Sequence, residues 1–464
     1  MKILRPYQQI GLDYCMSIDN PALFWDMRTG KTTVAIHACL KWGAKKILVV
    51  APYSTLMGWQ KDVYEDTRKK ITVLNQIKNK RYEMLVNKFY VSTCHFFFAS
   101  KECYLFLPQL KDYPWDVVIL DESVFIKKAE KNNNCHNFGT RPNASRYYCS
   151  NFRNVKHRMI LSGLPNPETD MDYYQQLKFL NHDYVKPFLN YYEYRKNNCV
   201  FVSYGRKYYF KSESKRELMT LVAEKCNILK RFDIGFTDPK IYETNIIPRN
   251  KLFNEILRKM INDMILINAK NEIVDMTVWP FVRFLWYRKL CGGFVQDKVV
   301  FKSKLKSLQE LLLRGSLKNE QAVVWVTYIN ELHLINDNIK NSCVIHGELP
   351  VEEKINRIKR FKRHAFKYLI CTPCIDVGTD LSFCDALIYY SAPVSYNKRA
   401  QTEDRIINVA SKNQKLIIDF LVEDSIDMDI YYSTKRKEHR KLLTERVIRR
   451  MQKEIDRFFI QKTR

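Results

Sequence analysis

Between Pro21 and about Leu164, short apolar runs alternate with stretches whose apolar residues recur at helical spacing. The runs Ala22 to Trp25, Lys46 to Val50, Val117 to Leu120 and Met159 to Leu161 are predicted as buried strands, since a strand covered on both faces shows no polar alternation. Their spacing suits βαβ units and hence a parallel sheet. Each run ends in a polar or glycine-containing segment, and ligands of open α/β sheets bind at the carboxyl ends of the strands. From about Asp170 to Val300 the pattern changes. An aromatic and basic stretch, Tyr191-Tyr-Glu-Tyr-Arg to Tyr208-Tyr-Phe, precedes longer segments of helical periodicity, which predicts a mostly helical connecting region. Its aromatics have two readings, as core filling or as stacking platforms for bases. A second alternating series follows, with strands predicted at Val323 to Val326, Val344 to His346, Tyr368 to Cys371, Ala386 to Tyr390 and Leu416 to Leu421. From about Tyr431 the chain spaces Leu442, Leu443, Val447, Ile448, Met451, Ile455 and Phe458 along one face of a basic amphipathic helix, either packed on the second unit or touching nucleic acid. The predicted fold class is α/β. One unit spans residues 1–169, a connecting region 170–300, a second unit 301–424 and a basic helical extension 425–464.

Composition narrows the partners. At 464 residues and 46% hydrophobic content, the chain holds more than one compact core usually accommodates. A formal net charge of +27 at pH 7 makes the surface broadly cationic and attractive to a polyanion, with nucleic acid the leading candidate. An anionic membrane is the alternative, but neither a hydrophobic span nor a lipidation signal is read, so no membrane partner is expected. The thirteen cysteines are scattered and read as reduced thiols of an intracellular, cytoplasmic protein. Cys371 and Cys374 form a lone CxxC without a second pair, and read as a strand end and loop.

The segment Trp25-Asp-Met-Arg-Thr-Gly30-Lys31-Thr32-Thr follows a predicted strand and opens a predicted helix. There, backbone N–H groups and a helix N-terminus can cradle phosphates, Lys31 can pair with the β and γ oxygens, and Thr32 can hold Mg²⁺. Trp25 occupies the place of the first glycine of the usual loop. The second element, Asp116-Val-Val-Ile-Leu-Asp121-Glu122-Ser123, delivers adjacent carboxylates at a strand end, where Asp121 can organise Mg²⁺ and Glu122 can orient or deprotonate the attacking water.

The order of these and further segments resembles superfamily-two helicases, and among them the Swi/Snf-like group, especially compact phage-encoded members. Leu4-Arg-Pro-Tyr-Gln8 looks like the adenine-reading element, with Gln8 as base contact. Asp26-Met-Arg-Thr-Gly-Lys-Thr looks like motif I, with Arg28, Thr29, Gly30, Lys31, Thr32 and Thr33 around the nucleotide. Ala51 to Trp59 looks like motif Ia, Asp121-Glu-Ser-Val like motif II, and Leu161-Ser-Gly-Leu-Pro-Asn-Pro167 like motif III, whose Ser162 would couple hydrolysis to movement. Val324 to Tyr328 resembles motif IV. Thr372 to Ser382, with Gly378 and Asp380 toward the nucleotide, resembles motif V, and Gln401-Thr-Glu-Asp-Arg405 resembles motif VI. The resemblance implies two RecA-like lobes that use ATP and Mg²⁺, with Lys31, Asp121, Glu122, Gln401 and Arg405 as catalytic residues. Ser54, Thr327 and Thr372 would grip the phosphodiester backbone, a sequence-independent contact suited to a moving enzyme. The plainer reading of those three is as strand-end residues capping the next helix.

The implied activity is ATP-driven movement on duplex, forked or branched DNA, with unwinding or branch migration as output and other replication or recombination proteins as partners. Val124 and Leu164 depart from the family pattern, and Asn408 stands where a second motif VI arginine is usual. An arginine finger is worth roughly 10³ to 10⁵ in turnover, so this departure supports an alternative reading as a nucleotide-responsive DNA clamp or scaffold with weak ATPase. The sequence leaves open whether Arg405 serves alone or is joined by Arg399 or Lys412. An RNA helicase shares the same expected fold.

Overall fold

The computed structural model describes residues 1–74, 93–127, 143–166, 169–202, 207–236, 239–277, 279–373, 380–407 and 413–436. The chain divides into two compact units, Met1–Thr237 and Asp238–Arg464.

The first unit is built on a parallel sheet of β1 (Ala22–Trp25), β2 (Lys46–Ala51), β3 (Thr72–Val73), β4 (His95–Ser100), β5 (Val117–Asp121), β6 (His157–Leu161) and β7 (Asn227–Leu229). The strand order is β3-β4-β2-β5-β6-β1-β7, and every pairing is parallel. Side chains alternate between its faces. Leu23, Trp25, Ile47, Val49, Val117 and Ile119 pack with Leu12, Val34, Trp59 and Val63, residues of the helices α1 (Pro6–Ser17), α2 (Lys31–Lys41) and α3 (Leu56–Thr67). Phe24, Leu48, Val50, Val118 and Leu120 face the other way, into a core rich in Tyr147, Tyr148, Phe152, Tyr174 and Tyr194. Burial on both faces explains why these strands read as continuous apolar runs.

Residues 170–300, read from sequence as one connecting region, divide between the two units. The helices Tyr173–Phe179, Tyr191–Asn198 and Ser212–Lys225 belong to the first, and β7 pairs with β1. The next strand, β8 (Lys240–Ile247), opens the second unit and runs in register with β13 (Lys415–Val422) over its whole length. β8 is an edge strand with most side chains exposed, so it has no apolar run to betray it. The second sheet also contains β9 (Ala322–Trp325), β10 (Ser342–Ile345), β11 (Tyr368–Cys371) and β12 (Ala386–Tyr389). Its order is β8-β13-β12-β9-β11-β10, again all parallel. The architecture is thus α/β with two parallel sheets.

The last described helix is Ile426–Lys435; the basic amphipathic stretch beyond Arg436 lies outside the described residues. No described helix is long and apolar enough to cross a membrane.

Candidate functional site

The loop from Asp26 to Gly30 leaves the carboxyl end of β1 and enters α2. Trp25 is fully buried, and its indole Nε1–H donates to Asn227 Oδ1 at 2.6 Å. Its ring lies so close to α1 that a Cβ on Gly11 would come within 2.3 Å of it. The bulky residue at the place of a loop glycine is therefore accommodated by a glycine on the neighbouring helix. Asp26 accepts from the Arg231 amide at 2.9 Å, which ties the start of the loop to the segment after β7. The Thr29 carbonyl accepts from Tyr7 Oη at 3.1 Å and Gln8 Nε2 at 3.3 Å, and Gln8 Oε1 accepts from the Arg5 amide. Gln8 thus ties the loop to the start of α1 through the two ends of its amide. Gly30 has φ +86°, and a Cβ there would sit 2.2 Å from Gln8 Nε2; both conformation and space require glycine.

Lys31 is buried, and its Nζ donates to the Trp25 and Asp26 carbonyls at 2.9 and 3.1 Å. No side chain caps the N-terminus of α2 and no acid lies in its first turn. Uncapped N–H groups, the helix dipole and a lysine form a donor set that fits a polyphosphate. Thr32 is part-buried beside it, Thr29 and Thr33 are buried, and Arg28 holds a left-handed φ of 65°.

β5 ends at the acidic pair. Asp121 Oδ2 accepts from the Trp59 indole at 2.9 Å and Oδ1 from the Glu122 amide at 2.9 Å. Burial raises the Asp121 pKa, opposed by the Trp59 hydrogen bond and by Lys31. Glu122 adopts φ 51°, an uncommon conformation for a side chain of its size. Burial, then the charge of Asp121, pushes its pKa up to about 7 against the pull of Lys31. β6 pairs in parallel with both β1 and β5, so the loop and the strand end lie at the same carboxyl edge, where Lys31 pulls down the pKa of both acids. Carboxylate and hydroxyl oxygens are the hard ligands Mg²⁺ takes, so Thr32 and Asp121 fit the metal that accompanies a nucleotide.

Two further segments join this edge of the sheet. After β6, the Ser162 amide donates to the Leu23 carbonyl at 3.1 Å, its buried hydroxyl accepts from the Leu164 amide, and Gly163 packs on Met27 of the phosphate loop. Ser123 donates to Gln176 Oε1 at 2.6 Å, while Gln176 Nε2 donates to the Pro165 and Asp172 carbonyls at 2.7 and 2.9 Å. Ser54 lies in the turn Tyr53–Thr55 after β2.

In the second unit the remaining candidates lie at or near the carboxyl edge of the other sheet. Thr327 follows β9; its amide donates to Ser391 Oγ at 2.6 Å and to Glu331 Oε2, and its hydroxyl donates to the Ser391 carbonyl at 3.1 Å. Thr372 follows β11 and is buried, its amide bonded to the Ile345 carbonyl. Asp380 is exposed and accepts from the Ser382 amide. Gln401 lies on the helix Tyr396–Glu403. Arg405 just beyond it is buried, with its guanidinium 5.7 Å from the Trp325 ring centroid. Arg399, a possible helper of Arg405 on sequence grounds, is already committed. It binds Asp419 through two nitrogens at 2.7 and 2.6 Å and Glu403 through Nε at 2.7 Å, all buried. Gly378, Asn408 and Lys412 lie outside the described residues.

A model of the SNF2-related domain matches residues 7–276, more than half of the chain. The chain belongs to the SNF2-related family. A helicase conserved C-terminal domain matches residues 303–410 of this SNF2-related protein. Among curated relatives, the ISWI chromatin-remodeling complex ATPase ISW1 of Saccharomyces cerevisiae is 21% identical over 92% of this chain and 39% of its own length. The ATP-dependent RNA helicase uap56 of Schizosaccharomyces pombe is 29% identical over 30% of this chain and 32% of its own. The chain therefore spans well under half the length of either relative. The SWI2/SNF2 ATPase core of Sulfolobus solfataricus, solved in complex with dsDNA, aligns over 96% of this chain and 93% of that chain, with TM-score 0.42 and 15% identity. Family membership carries the superfamily-two, Swi/Snf-like assignment.

Sequence reasoning missed three contributors to this SNF2-related site. Trp59 was read only as the end of motif Ia, with nothing to signal its bond to Asp121. Gln176 and the amide of Arg231 lie far along the chain from the groups they hold, at spacings no local pattern encodes.

Proposed function

We propose that this chain is an ATP-driven translocase on DNA, with duplex unwinding or branch migration as its output. The observation that carries the reading is the single site formed by Lys31, the uncapped start of α2 and the Asp121–Glu122 pair. In this reading Lys31 exchanges the Trp25 and Asp26 carbonyls for β- and γ-phosphate oxygens. Thr32 and Asp121 would hold Mg²⁺, which would supply charge neutralisation at the phosphates. Glu122, with its carboxyl near neutrality, orients the attacking water and accepts its proton. Gln8, Arg28, Thr29 and Thr33 shape the nucleotide side of the loop, and Gln401, Asp380 and Arg405 are the motor residues proposed for the second unit. Arg405 serves without Arg399, whose charge is consumed by Asp419 and Glu403.

DNA as the substrate is supported by the net charge of +27 and by the similarity to a chromatin-remodeling ATPase. Ser54, Thr327 and Thr372 are proposed as backbone contacts, and binding weakens steeply with salt because phosphate contacts release counterions. The test is phosphate release by wild type, Lys31→Ala and Glu122→Gln, with and without DNA, and with RNA duplex as competitor. DNA-stimulated hydrolysis that falls roughly 10² to 10³-fold in each variant is expected. Equal rates in wild type and both variants on every nucleic acid would reduce the chain to a nucleotide-responsive clamp.

A further inference from the structure

We propose that the β-hairpin formed by Cys199–Val202 and Lys207–Phe210 is a base-stacking site for single-stranded nucleic acid. The choice of ligand rests on the nucleic-acid motor reading above. The hairpin is antiparallel, with Val200 opposite Tyr209 and Phe201 opposite Tyr208. Consecutive residues of a strand point to opposite faces, so a hairpin lying on a core would bury one member of each successive pair. Here both faces are open: Val200, Phe201, Tyr208 and Tyr209 are 52%, 51%, 41% and 54% exposed. Only the root is anchored. Cys199 is buried, Phe210 meets Tyr194 at 6.3 Å, and the Lys211 amide donates to the Asn198 carbonyl. The aromatic segment of the sequence therefore splits, with Tyr194 filling core, Tyr191 packed against it and the hairpin rings standing in water. A contiguous exposed apolar surface of this kind marks an interaction site.

Arg195 indicates what covers it. Its guanidinium lies 3.9 Å from the Tyr208 ring centroid and 5.2 Å from that of Tyr192. The guanidinium thus lies against the hairpin aromatics, and among the described residues no hydrogen bond or ion pair engages its N–H groups. From Tyr191 to Lys211 the sequence carries Arg195, Lys196, Arg206, Lys207 and Lys211 against a single acid, Glu193, whose carboxylate accepts from the Leu189 amide. Rings exposed on both faces of a narrow ribbon, with the Arg195 guanidinium beside them, match the π-faces and phosphates of an unpaired strand. A duplex hides its base faces in its own stack, so it meets the cations but not the rings.

The experiment is fluorescence anisotropy of the full chain with labelled oligo-dT, oligo-rU and blunt duplex DNA, for wild type, Phe201→Ala, Tyr209→Ala and Tyr209→Phe. Each alanine variant is expected to lose roughly ten-fold or more in affinity for an unpaired oligomer, with duplex affinity and melting temperature unchanged and Tyr209→Phe close to wild type. Loss on one oligomer or both supports the site and identifies the sugar it accepts. Unchanged oligomer binding, or an equal loss on duplex, overturns it. ATP hydrolysis in the same preparations separates the two readings. Lys31-dependent hydrolysis with oligomer binding indifferent to the hairpin refutes the hairpin alone. Hairpin-dependent binding with a Lys31→Ala variant as active as wild type refutes the motor alone.

Discussion

Replacing Glu122 by glutamine should slow hydrolysis and yet stabilise the nucleotide-free protein at alkaline pH. The Glu122 carboxyl is pushed from its ordinary 4.5 to about 7 by burial and by Asp121. A group whose folded-state pKa is raised contributes stability that is fully present below its unfolded value and is lost as pH rises through the folded one. For Glu122 the loss falls between about pH 4.5 and 7, where the folded protein binds the proton more tightly than the unfolded chain. At about 1.36 kcal/mol per pH unit, the distance from 4.5 to about 7 corresponds to about 3 kcal/mol at most. Glutamine mimics the protonated acid in shape and carries no titration. The variant should therefore match wild type below about pH 4 and exceed it by as much as about 3 kcal/mol near pH 8.5. Denaturant unfolding of both proteins without nucleotide, at closely spaced pH values, measures the difference. An offset that is the same at both ends of the range, or a variant less stable than wild type at alkaline pH, would refute the electrostatic origin assigned to the shift.

Trp59→Phe removes the indole donor from Asp121 Oδ2. A hydrogen bond to a charged group is worth about 1.5 to 3 kcal/mol, so the Asp121 pKa should rise further and the acidic limb of the ATPase pH profile should move to higher pH; an unmoved limb counts against the bond. Gly30→Ala combines a left-handed φ with overlap on Gln8 and should cost about 1 to 3 kcal/mol in thermal unfolding, part of it recovered by adding Gln8→Ala. Asp419→Ala strands the buried guanidinium of Arg399 and should cost about 3 to 5 kcal/mol, with Arg399→Leu in the same chain restoring much of the loss. Both effects are read from urea midpoints.

The sequence displayed those parts of the site that local patterns encode. Gly30-Lys31-Thr32 behind an apolar run and Asp121-Glu122 at the end of another were visible, because a strand buried on both faces carries its own signature. β3 was too short to read, and β4 (His95–Ser100) was passed over although its run is as apolar as that of β2. β7 and β8 escaped because edge strands retain polar residues. Contacts between distant segments were also hidden. Trp59 and Asp121 are 62 residues apart, and only the fold brings an indole N–H to that carboxylate. Arg399 and Arg405 look interchangeable as candidate cations near motif VI, yet one is consumed by Asp419 and the other lies over Trp325. Nothing in the spacing of the two arginines anticipates that division.

The amide of Gln176 joins the segment after the acidic pair to the segment after β6. Because Ser123 and the Pro165 carbonyl share this one rigid planar group, neither segment can be displaced on its own without leaving a buried donor or acceptor bare, which costs about 1 to 3 kcal/mol. The two strand ends are thereby geared together. A shift of the segment after Glu122 would therefore either carry the stretch after Ser162 with it or break the Gln176 hydrogen bonds.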